Sequence, residues 1–489
     1  MKPIFENKDD VKISSGNTSI SIQPYKIGDF PSLEYRLSVY DNVYHRIEFI
    51  GLDYDPKRKI LYLPNSINKK KIENNYKTKN LILEDMKLDP KTKIKFNLKC
   101  PPKDDLQIKT IDFLVCRGNY TGNMFYPKLM LSLDTGSGKT YCVLNAISQI
   151  GLKTAVILPN YTLIERWVKE IKKVTDIKED EVYIISGQNS LKKIKSKTKD
   201  KKIILISHST INRFGTDYGW DKVHKLFKLM KIGIKVYDEA HMQFKNIIKI
   251  DLHTNTYKTF YLTATAGRSI LKENIIFNSV FSNVPSLVSY TKSREENHID
   301  MIIIKYNSNP TYNERTLCKT IKGFSASKFM KYNMGSGRLH FERALEIVMN
   351  TILTNKTKGR VLILLGTVNM IYHIKCFLEQ SYPILKGQIG IYCHDVSKKE
   401  KEDTFNNKYI MLSTYKSLGT GSDIVGLKYV VMTEPYSSKL IAKQCPGRLR
   451  EHGWYFELVD SGFNDCVRQF ESRKKILIKK SNKFKIVNI

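Results

Sequence analysis

The sequence has few cysteines and none in a metal-binding or redox arrangement. Its eight cysteines are isolated from one another, and no C-x-x-C pair occurs in the 489 residues. Zinc modules and disulfide frameworks need closely spaced or paired cysteines, so we expect neither. Isolated cysteines are typical of small core residues in a reducing compartment. We therefore expect an intracellular protein, in the cytoplasm.

Long apolar runs are also missing. No stretch approaches the roughly 18 consecutive apolar residues that span a membrane. The first ten residues are polar and mixed in charge. We expect neither a membrane span nor a secretory signal.

Acidic residues are scarce relative to basic ones. The chain has 48 Asp and Glu against 81 Lys and Arg, which gives a net charge of +33. A surplus spread along the whole length favours a polyanionic partner, and nucleic acid is the commonest. The alternative is an AT-rich genome that enriches Lys, Asn and Ile, so that basic faces are merely solvated.

The N-terminal residues 1–98 predict a small, mostly β accessory domain. Strand-like alternation occurs at 18–23 and 33–40, and 54–59 predicts a hairpin turn before a strand at 60–63. Lysines follow at 69, 70, 71, 77 and 79. They predict a basic loop that either touches a nucleic-acid backbone or is only solvated.

Two α/β series fill the rest of the chain, at 99–297 and 298–489. In both, short apolar runs alternate with helical patterns, which is typical of parallel sheets covered by helices on both faces. The fold class is therefore α/β, with two parallel-sheet domains in tandem behind the accessory domain. The basic tail 468–485 is expected to form one helix packed on the second core.

A candidate phosphate loop lies at 133–140, between an apolar strand and a helix that Gly151 would cap. Glycines let the backbone approach an anion, Lys139 supplies a charge for the β and γ phosphates, and Thr140 supplies a hydroxyl for Mg²⁺. Leu133 stands where the full pattern has Gly, so the run alone is also compatible with a plain turn. The predicted nucleotide-binding residues are Asp134, Thr135, Gly136, Ser137, Gly138, Lys139 and Thr140.

An acidic pair follows a second apolar run, in Asp238-Glu239-Ala240-His241. Asp238 can hold Mg²⁺, and Glu239 can orient and deprotonate the attacking water in NTP hydrolysis. Lys235 interrupts the apolar run expected of a central strand. The alternative is a helix N-terminus with acidic residues that complement its dipole. The phosphate loop upstream favours the catalytic interpretation.

Further motifs follow in a fixed order along the chain, and together with the two above they resemble those of superfamily 2 helicases of the DEAH-box type. They are 158–167, Ser209-Thr210, Thr263-Ala264-Thr265, Gly366-Thr367, 421–423 and 444–450. The resemblance covers roughly residues 100–460 and implies two RecA-like domains. Leu133, segment 54–64 and the tail 459–475 resemble the branch of the phage recombination helicase, the eukaryotic repair and transcription helicase, and the poxvirus transcript-release helicase.

The resemblance implies roles in the use of Mg-ATP. Lys139, Thr140, Asp238 and Glu239 would bind and hydrolyse it, and Gln107 would read the adenine. His241 and 263–265 would couple the nucleotide state to strand movement. The second domain would add the remaining nucleotide contacts: Gly421, Asp423, Gln444 by the γ-phosphate, and Arg448 and Arg450 as arginine fingers. The family spacing places the second arginine at 451, which is Glu here, so Arg448 is the firmer candidate.

The resemblance also implies contacts to a nucleic-acid backbone, from Pro159, Ser209, Thr210, Gly366, Thr367 and Thr414. The expected function is an ATP-dependent DNA helicase or translocase moving 3′ to 5′, in a transcription or repair complex. For a viral member the location would be the host cytoplasm or the virion. The alternatives are a DExH-type RNA helicase, or a non-catalytic nucleic-acid-binding subunit with a degenerate motor, as Lys235 and the shifted Arg450 suggest.

Overall fold

In the computed structural model the chain divides into two compact units, Met1–Ser289 and Tyr290–Ile489. The structure describes residues 10–41, 45–118, 124–133, 137–185, 187, 191, 194, 198–263, 271–288, 298–321, 323–418, 424–449 and 451–489. Within these ranges, no helix combines the length and apolarity that crossing a membrane requires. All eight cysteines lie in them, and each is a free thiol.

The first unit begins with a mixed sheet. Its elements are β1 (Asp10–Ser15), β2 (Ser19–Gln23), α1 (Pro31–Arg36), β3 (Ser38–Asp41), β4 (Arg46–Phe49), β5 (Asp53–Asp55), β6 (Ile60–Pro64), α2 (Lys69–Asn75) and β7 (Asn80–Asp85). Five strands form the sheet in the order β5-β6-β2-β1-β7, and β3 and β4 form a separate antiparallel pair. The predicted hairpin before residue 60 is confirmed, because β5 pairs with β6.

Two local predictions in this region are wrong. The alternation at 33–40 predicted one strand, but residues 31–36 form α1, whose first position is Pro31, a residue favoured there because it has no N–H to satisfy. The lysines at 69–71 lie in α2 rather than in a loop. The side chain of Asn68 caps that helix by accepting from the Lys70 N–H, 2.9 Å away.

The first parallel sheet follows in the same unit. Its elements are α3 (Asp105–Leu114), β8 (Lys128–Ser132), α4 (Lys139–Ile150), β9 (Thr154–Leu158), α5 (Tyr161–Val174), β10 (Val182–Ile185), β11 (Ile203–Ser207), α6 (His208–Tyr218), α7 (Trp220–Met230), β12 (Ile234–Tyr237), α8 (Phe244–Leu252), β13 (Lys258–Thr263), α9 (Leu271–Phe281) and β14 (Ser286–Val288). The strand order is β10-β11-β9-β12-β13-β8-β14, with every pair parallel. Apolar side chains from both faces are buried.

Polar contacts attach the N-terminal sheet to this parallel sheet. Asn255 accepts from the Asn17 N–H at 2.7 Å and donates to the carbonyl oxygens of Met86 and Lys87, both at 3.2 Å. Oδ2 of Asp53 lies 2.6 Å from Nε2 of His253. The N-terminal region therefore packs as part of the first unit.

Lys235 does interrupt the apolar pattern of β12, yet β12 lies in the interior of the sheet. The Lys235 side chain is fully buried, forms an ion pair with Asp251 of α8, and donates to Oγ1 of Thr254 at 2.6 Å. The hydroxyls of Tyr237 and Tyr261 also donate to Asp251. Burial lowers the pKa of Lys235, and the Asp251 carboxylate opposes that shift. The strand tolerates the lysine because a buried partner satisfies it.

The second unit carries the other parallel sheet. Its elements are β15 (Ile299–Tyr306), α10 (Tyr312–Leu317), β16 (Lys319–Thr320), β17 (Gly323–Phe324), α11 (Ala326–Tyr332), α12 (Arg338–Thr354), β18 (Arg360–Leu365), α13 (Val368–Ser381), β19 (Ile389–Tyr392), α14 (Lys398–Asn407), β20 (Ile410–Thr414), α15 (Tyr415–Leu418), β21 (Leu427–Met432), α16 (Lys439–Gln444), β22 (Gly453–Asp460), α17 (Asn464–Lys480) and β23 (Lys483–Asn488). The strand order is β19-β20-β18-β21-β22-β15-β23, with every pair parallel.

The prediction of one helix over the basic tail 468–485 is wrong. Helix α17 ends at Lys480, and β23 then adds an edge strand that pairs with β15. Residues 483–486 alternate between polar and apolar side chains. This period of two is typical of a strand, whereas a helix has a period of 3.6. The high lysine content of the tail hides this change of period.

Replacing Asp251 with Ala should destabilise the first unit by about 3–5 kcal/mol, because Lys235 would remain buried without its counter-charge. Urea denaturation of the full chain, followed by the fluorescence of Trp167 and Trp220, measures the effect. The control is Asp217→Ala on α6, where a largely exposed pair with Arg213 at 3.8 Å should contribute at most about 0.5 kcal/mol. Equal effects of both substitutions would contradict the role of the buried pair.

Candidate functional site

The candidate phosphate loop joins β8 to the N-terminus of α4. Gly138 precedes the helix with φ +80°, and Gly151 ends it with φ +69°, donating its N–H to the Ile147 carbonyl at 2.8 Å. The predicted helix and its glycine cap are confirmed. Asp134, Thr135 and Gly136 lie outside the described residues. The first-turn N–H groups of a helix have no acceptor within the helix, so the N-terminus of α4 is favourable for an anion.

Gln107 lies directly against this loop. Its backbone N–H is capped by the Asp104 side chain at 2.9 Å, and its Oε1 accepts from the Lys103 N–H at 2.8 Å. A Cβ placed on Gly138 would come within 2.3 Å of Nε2 of Gln107. Position 138 thus requires glycine for two reasons, its left-handed backbone and the approach of Gln107.

The loop contains groups that fit a phosphate. Nζ of Lys139 donates to the Leu133 carbonyl at 2.7 Å, which holds the ammonium over the loop. The Ser137 hydroxyl is buried and has no hydrogen-bond partner in the described part of the chain. Phosphate oxygens accept from N–H, O–H and ammonium groups, all of which are present here. The residues therefore suit the phosphate groups of a nucleotide.

The acidic pair begins directly after β12. Oδ2 of Asp238 accepts from Nε1 of Trp167 at 2.9 Å, and Oδ1 accepts from the Glu239 N–H at 2.9 Å. Glu239 adopts φ +50°, a left-handed conformation that is uncommon for a residue with a side chain. Both carboxylates are buried, with exposed fractions of 9% for Asp238 and 5% for Glu239. The role of Trp167 was not predicted, because its contact with Asp238 spans 71 residues.

His241 and Thr263 meet beside the acidic pair. Nδ1 of His241 lies 3.0 Å from Oγ1 of Thr263, the last residue of β13, and 3.4 Å from Oε2 of Glu239. A chain of contacts therefore runs from Glu239 through His241 to the end of the next strand. Ala264 and Thr265 lie outside the described residues.

Hydroxyl groups follow the next two strands at the same edge of this sheet. Leu158 and Ser207 are register partners, so the turn at Pro159 lies beside the start of α6. The Ser207 hydroxyl caps α6 by accepting from the Thr210 N–H at 3.2 Å, and it lies 2.9 Å from the Ser209 hydroxyl. The structure thus brings Pro159, Ser209 and Thr210 together at adjacent strand ends.

His208 of α6 is buried next to these hydroxyls. It stacks on Tyr237 with ring centroids 5.8 Å apart, and neither ring nitrogen has a hydrogen-bond partner in the described part of the chain. Burial lowers the pKa of His208 to about 3, so the ring is neutral at physiological pH. No sequence pattern indicated a role for His208, because its environment is set by tertiary packing.

The second unit repeats this strand-end arrangement. Leu365 and Thr414 are register partners at the ends of β18 and β20. The Thr367 hydroxyl caps α13 by accepting from the Met370 N–H at 3.2 Å, and that of Thr414 caps α15 through the Ser417 N–H at 3.2 Å. Gly366 lies so close to Met330 that a Cβ added to the glycine would come within 2.6 Å of the Met330 Cγ. Gly366, Thr367 and Thr414 therefore share one edge of the second sheet.

Gln444 and Arg448 lie at the end of α16 and in the 3₁₀ turn that follows it. Both are buried, with exposed fractions of 8% and 7%. Oε1 of Gln444 accepts from the Tyr415 hydroxyl at 2.9 Å, which connects it to the helix after β20. Gly421, Asp423 and Arg450 lie outside the described residues.

A buried ionic cluster supports α16. Arg473 of α17 forms an ion pair with Glu457, donates to the Tyr436 carbonyl, and places its guanidinium 3.8 Å from the Tyr436 ring centroid. Tyr436 lies just before Ser438, the N-cap of α16. Arg473 lies in the basic tail, yet it is only 1% exposed.

Comparisons with known proteins agree with this arrangement. A family described as the res subunit of type III restriction enzymes matches residues 107–268. The transcript termination protein A18 of Yaba-like disease virus is 24% identical over 336 residues, which cover 66% of this chain and 64% of that protein. The vaccinia virus (strain Ankara) protein of the same name is 22% identical over 332 residues, which cover 66% of this chain and 62% of that protein. The chain therefore matches less than two thirds of the length of these relatives.

Among solved structures, S. cerevisiae Dbp5 bound to RNA and ADP BeF3 matches with a TM-score of 0.53 and 14% sequence identity. The match covers 78% of this chain and 89% of that one. The fold and the motif order of the chain resemble those of superfamily 2 helicases. The predicted fold, two RecA-like domains in tandem with a small N-terminal sheet, is confirmed.

Replacing Gly138 with Ala should weaken binding of a fluorescent ATP analogue by about 10- to 100-fold, because the new Cβ meets Gln107 and the left-handed backbone is strained. The matched control is Gly387→Ala, where φ is +81° and no atom lies within 4 Å of the added Cβ. Circular dichroism of both variants checks that they fold. Unchanged binding by the Gly138 variant would show that this loop does not hold the nucleotide.

Proposed function

We propose that this chain is an ATP-dependent nucleic-acid helicase or translocase that acts on DNA. The observation that carries the proposal is the meeting of three groups at one edge of the first parallel sheet: the phosphate loop after β8, the acidic pair after β12, and the His241–Thr263 contact at the end of β13. This combination supports nucleotide hydrolysis linked to a conformational response.

The residues of the first unit have separate tasks in this proposal. Ser137, Lys139 and the N-terminus of α4 bind the β and γ phosphates, and Gln107 binds the adenine. Thr140 and Asp238 are the residues that would hold Mg²⁺, which neutralises phosphate charge when bound. Glu239 orients the attacking water and takes its proton. The indole of Trp167 keeps the Asp238 carboxylate in one orientation.

The second unit supplies the remaining roles. We assign Gln444 and Arg448 to the γ-phosphate of a bound nucleotide, with Arg448 stabilising the charge of the transition state. We assign Gly421, Asp423 and Arg450 to nucleotide binding as well. Hydrolysis would then change how a strand is held, and His241 with residues 263–265 would transmit that change.

The strand-end hydroxyls and helix N-termini of both units suit a phosphate backbone. Pro159, Ser209 and Thr210 in the first unit, and Gly366, Thr367 and Thr414 in the second, would bind phosphates without reading bases. The net charge of +33 supports binding to a polyanion such as a nucleic-acid strand. The names of the viral relatives support a place in transcript termination. We place this role in a transcription complex in the host cytoplasm.

Lys139→Ala should reduce nucleic-acid-stimulated ATP hydrolysis by at least about 100-fold, because Lys139 is the only basic residue in the sequence 133–140. Phosphate release with saturating single-stranded DNA measures this. The control is Lys222→Ala, an exposed lysine of α7 outside the site. Full turnover by the Lys139 variant would refute the proposal, and absence of hydrolysis in the wild type would favour the non-catalytic alternative.

Single-stranded DNA should stimulate hydrolysis more than RNA of the same length and sequence. The Dbp5 match, a structure bound to RNA, is the observation that favours the second candidate, an RNA helicase. Stimulation constants for the two polymers, compared at one salt concentration, separate the candidates, because backbone binding weakens steeply with salt. A clear preference for RNA would replace DNA as the proposed substrate.

A further inference from the structure

A buried lysine of the first unit has a cysteine as its polar partner. Nζ of Lys258, the first residue of β13, lies 3.0 Å from Sγ of Cys116, which follows shortly after the end of α3. Lys258 is 2% exposed and Cys116 is 8% exposed. The Lys258 ammonium also lies 5.1 Å from the ring centroid of Phe125, and no carboxylate pairs with it in the described part of the chain. Lys235, by contrast, is paired with Asp251.

A neutral thiol would be a poor partner for this ammonium. The sulfur of a thiol is a weak hydrogen-bond acceptor, and a buried charge without a counter-charge destabilises the fold. A thiolate would supply the missing charge. The Tyr126 N–H also donates to Sγ of Cys116, 3.5 Å away, so two donors meet at the sulfur. Hydrogen-bond donors and a nearby cation both stabilise a thiolate, which is the form of cysteine that reacts.

We propose that Cys116 and Lys258 form a reactive pair whose substrate is hydrogen peroxide. Sγ of Cys116 attacks one peroxide oxygen, so that an S–O bond forms as the O–O bond breaks. The leaving hydroxide takes a proton from the Lys258 ammonium and departs as water. The sulfur loses two electrons and the peroxide gains two, which leaves a sulfenic acid beside a neutral amine. The reaction requires neither ATP nor nucleic acid, and the small size of peroxide suits a largely buried cysteine.

The pair lies where two elements of the candidate nucleotide site begin or end. Helix α3 carries Gln107, which lies against Gly138 of the phosphate loop, and β13 ends at Thr263. An oxygen added to Cys116 needs space that the Lys258 ammonium now occupies. We therefore expect oxidation to displace the end of α3 and to weaken nucleotide binding, a consequence that rests on the proposed function.

Peroxide footprinting of the full chain tests the pair without any variant. The reduced protein is treated with hydrogen peroxide, quenched with catalase, unfolded and alkylated, and peptide mass spectrometry gives the loss of free thiol at each cysteine over time. We expect Cys116 to lose its free thiol at least about tenfold faster than Cys100 and Cys376, which are exposed. Equal or slower loss at Cys116 would overturn the inference, because exposure alone would then set the order.

The variant Lys258→Met tests the lysine, with Lys153→Met as its matched control. Lys153 is also a buried lysine of the first unit, 2% exposed, and its Nζ donates to the Thr198 carbonyl. We expect Lys258→Met to slow the oxidation of Cys116 about tenfold and Lys153→Met to leave it within about twofold. Oxidation at the wild-type rate in Lys258→Met would contradict the pairing. If that variant does not fold, the comparison among the wild-type cysteines still decides.

Binding of the fluorescent ATP analogue before and after complete oxidation of Cys116 tests the consequence. We expect the affinity to fall at least about fivefold in the wild type and to stay unchanged in Cys116→Ser treated in the same way. Unchanged wild-type affinity would overturn this consequence and leave the reactive pair. A reduced wild type that does not bind the analogue would refute the proposed function together with the consequence, whereas the footprint would still decide the pair.

Discussion

The hydrogen-bond register between β8, β13, β12 and β9 determines where the chemistry of the first unit can occur. Ser132 is paired with Thr263, Tyr261 with Tyr237, and Tyr237 with Ile157, so four strands end at one edge. A shift by one residue would turn each following side chain to the other face of its strand. The phosphate loop, Asp238 and His241 meet because neighbouring parallel strands deliver them to the same edge.

That register depends in turn on a buried charge. Lys235 and Asp251 lie beneath the sheet, and Tyr237 and Tyr261, which stack at 5.5 Å, both donate to Asp251. Burial raises the pKa values of both tyrosine hydroxyls well above the ordinary value, so the hydroxyls stay protonated and can donate hydrogen bonds. Because β12 and β13 each contribute a tyrosine to one carboxylate, their alignment is fixed by directional bonds as well as by apolar packing.

The sequence predicted the elements whose signals are local. The strand, glycine turn and helix around Gly138 follow one another in the order typical of a phosphate loop, and alternating apolar runs indicated two parallel sheets. The contacts it missed depend on distant partners: the indole of Trp167 in α5 donates to Asp238, Asp251 pairs with the buried Lys235, and Glu457 pairs with the buried Arg473. The composition of the tail led to a wrong helix prediction, because its many lysines obscured the alternation of polar and apolar residues in β23.

The backbone of Glu239 has an uncommon conformation that neighbouring contacts maintain. A non-glycine residue at φ +50° stores strain of about 1–3 kcal/mol, which persists only when the surroundings hold it. Here the holding contacts are the Asp238 carboxylate on the Glu239 N–H and the nearby His241 ring, which itself contacts Thr263. A nucleotide that repositions the Glu239 carboxylate would therefore change the balance of those contacts. Because Thr263 ends a strand rather than a loop, the change would act on the hydrogen-bonded part of the sheet.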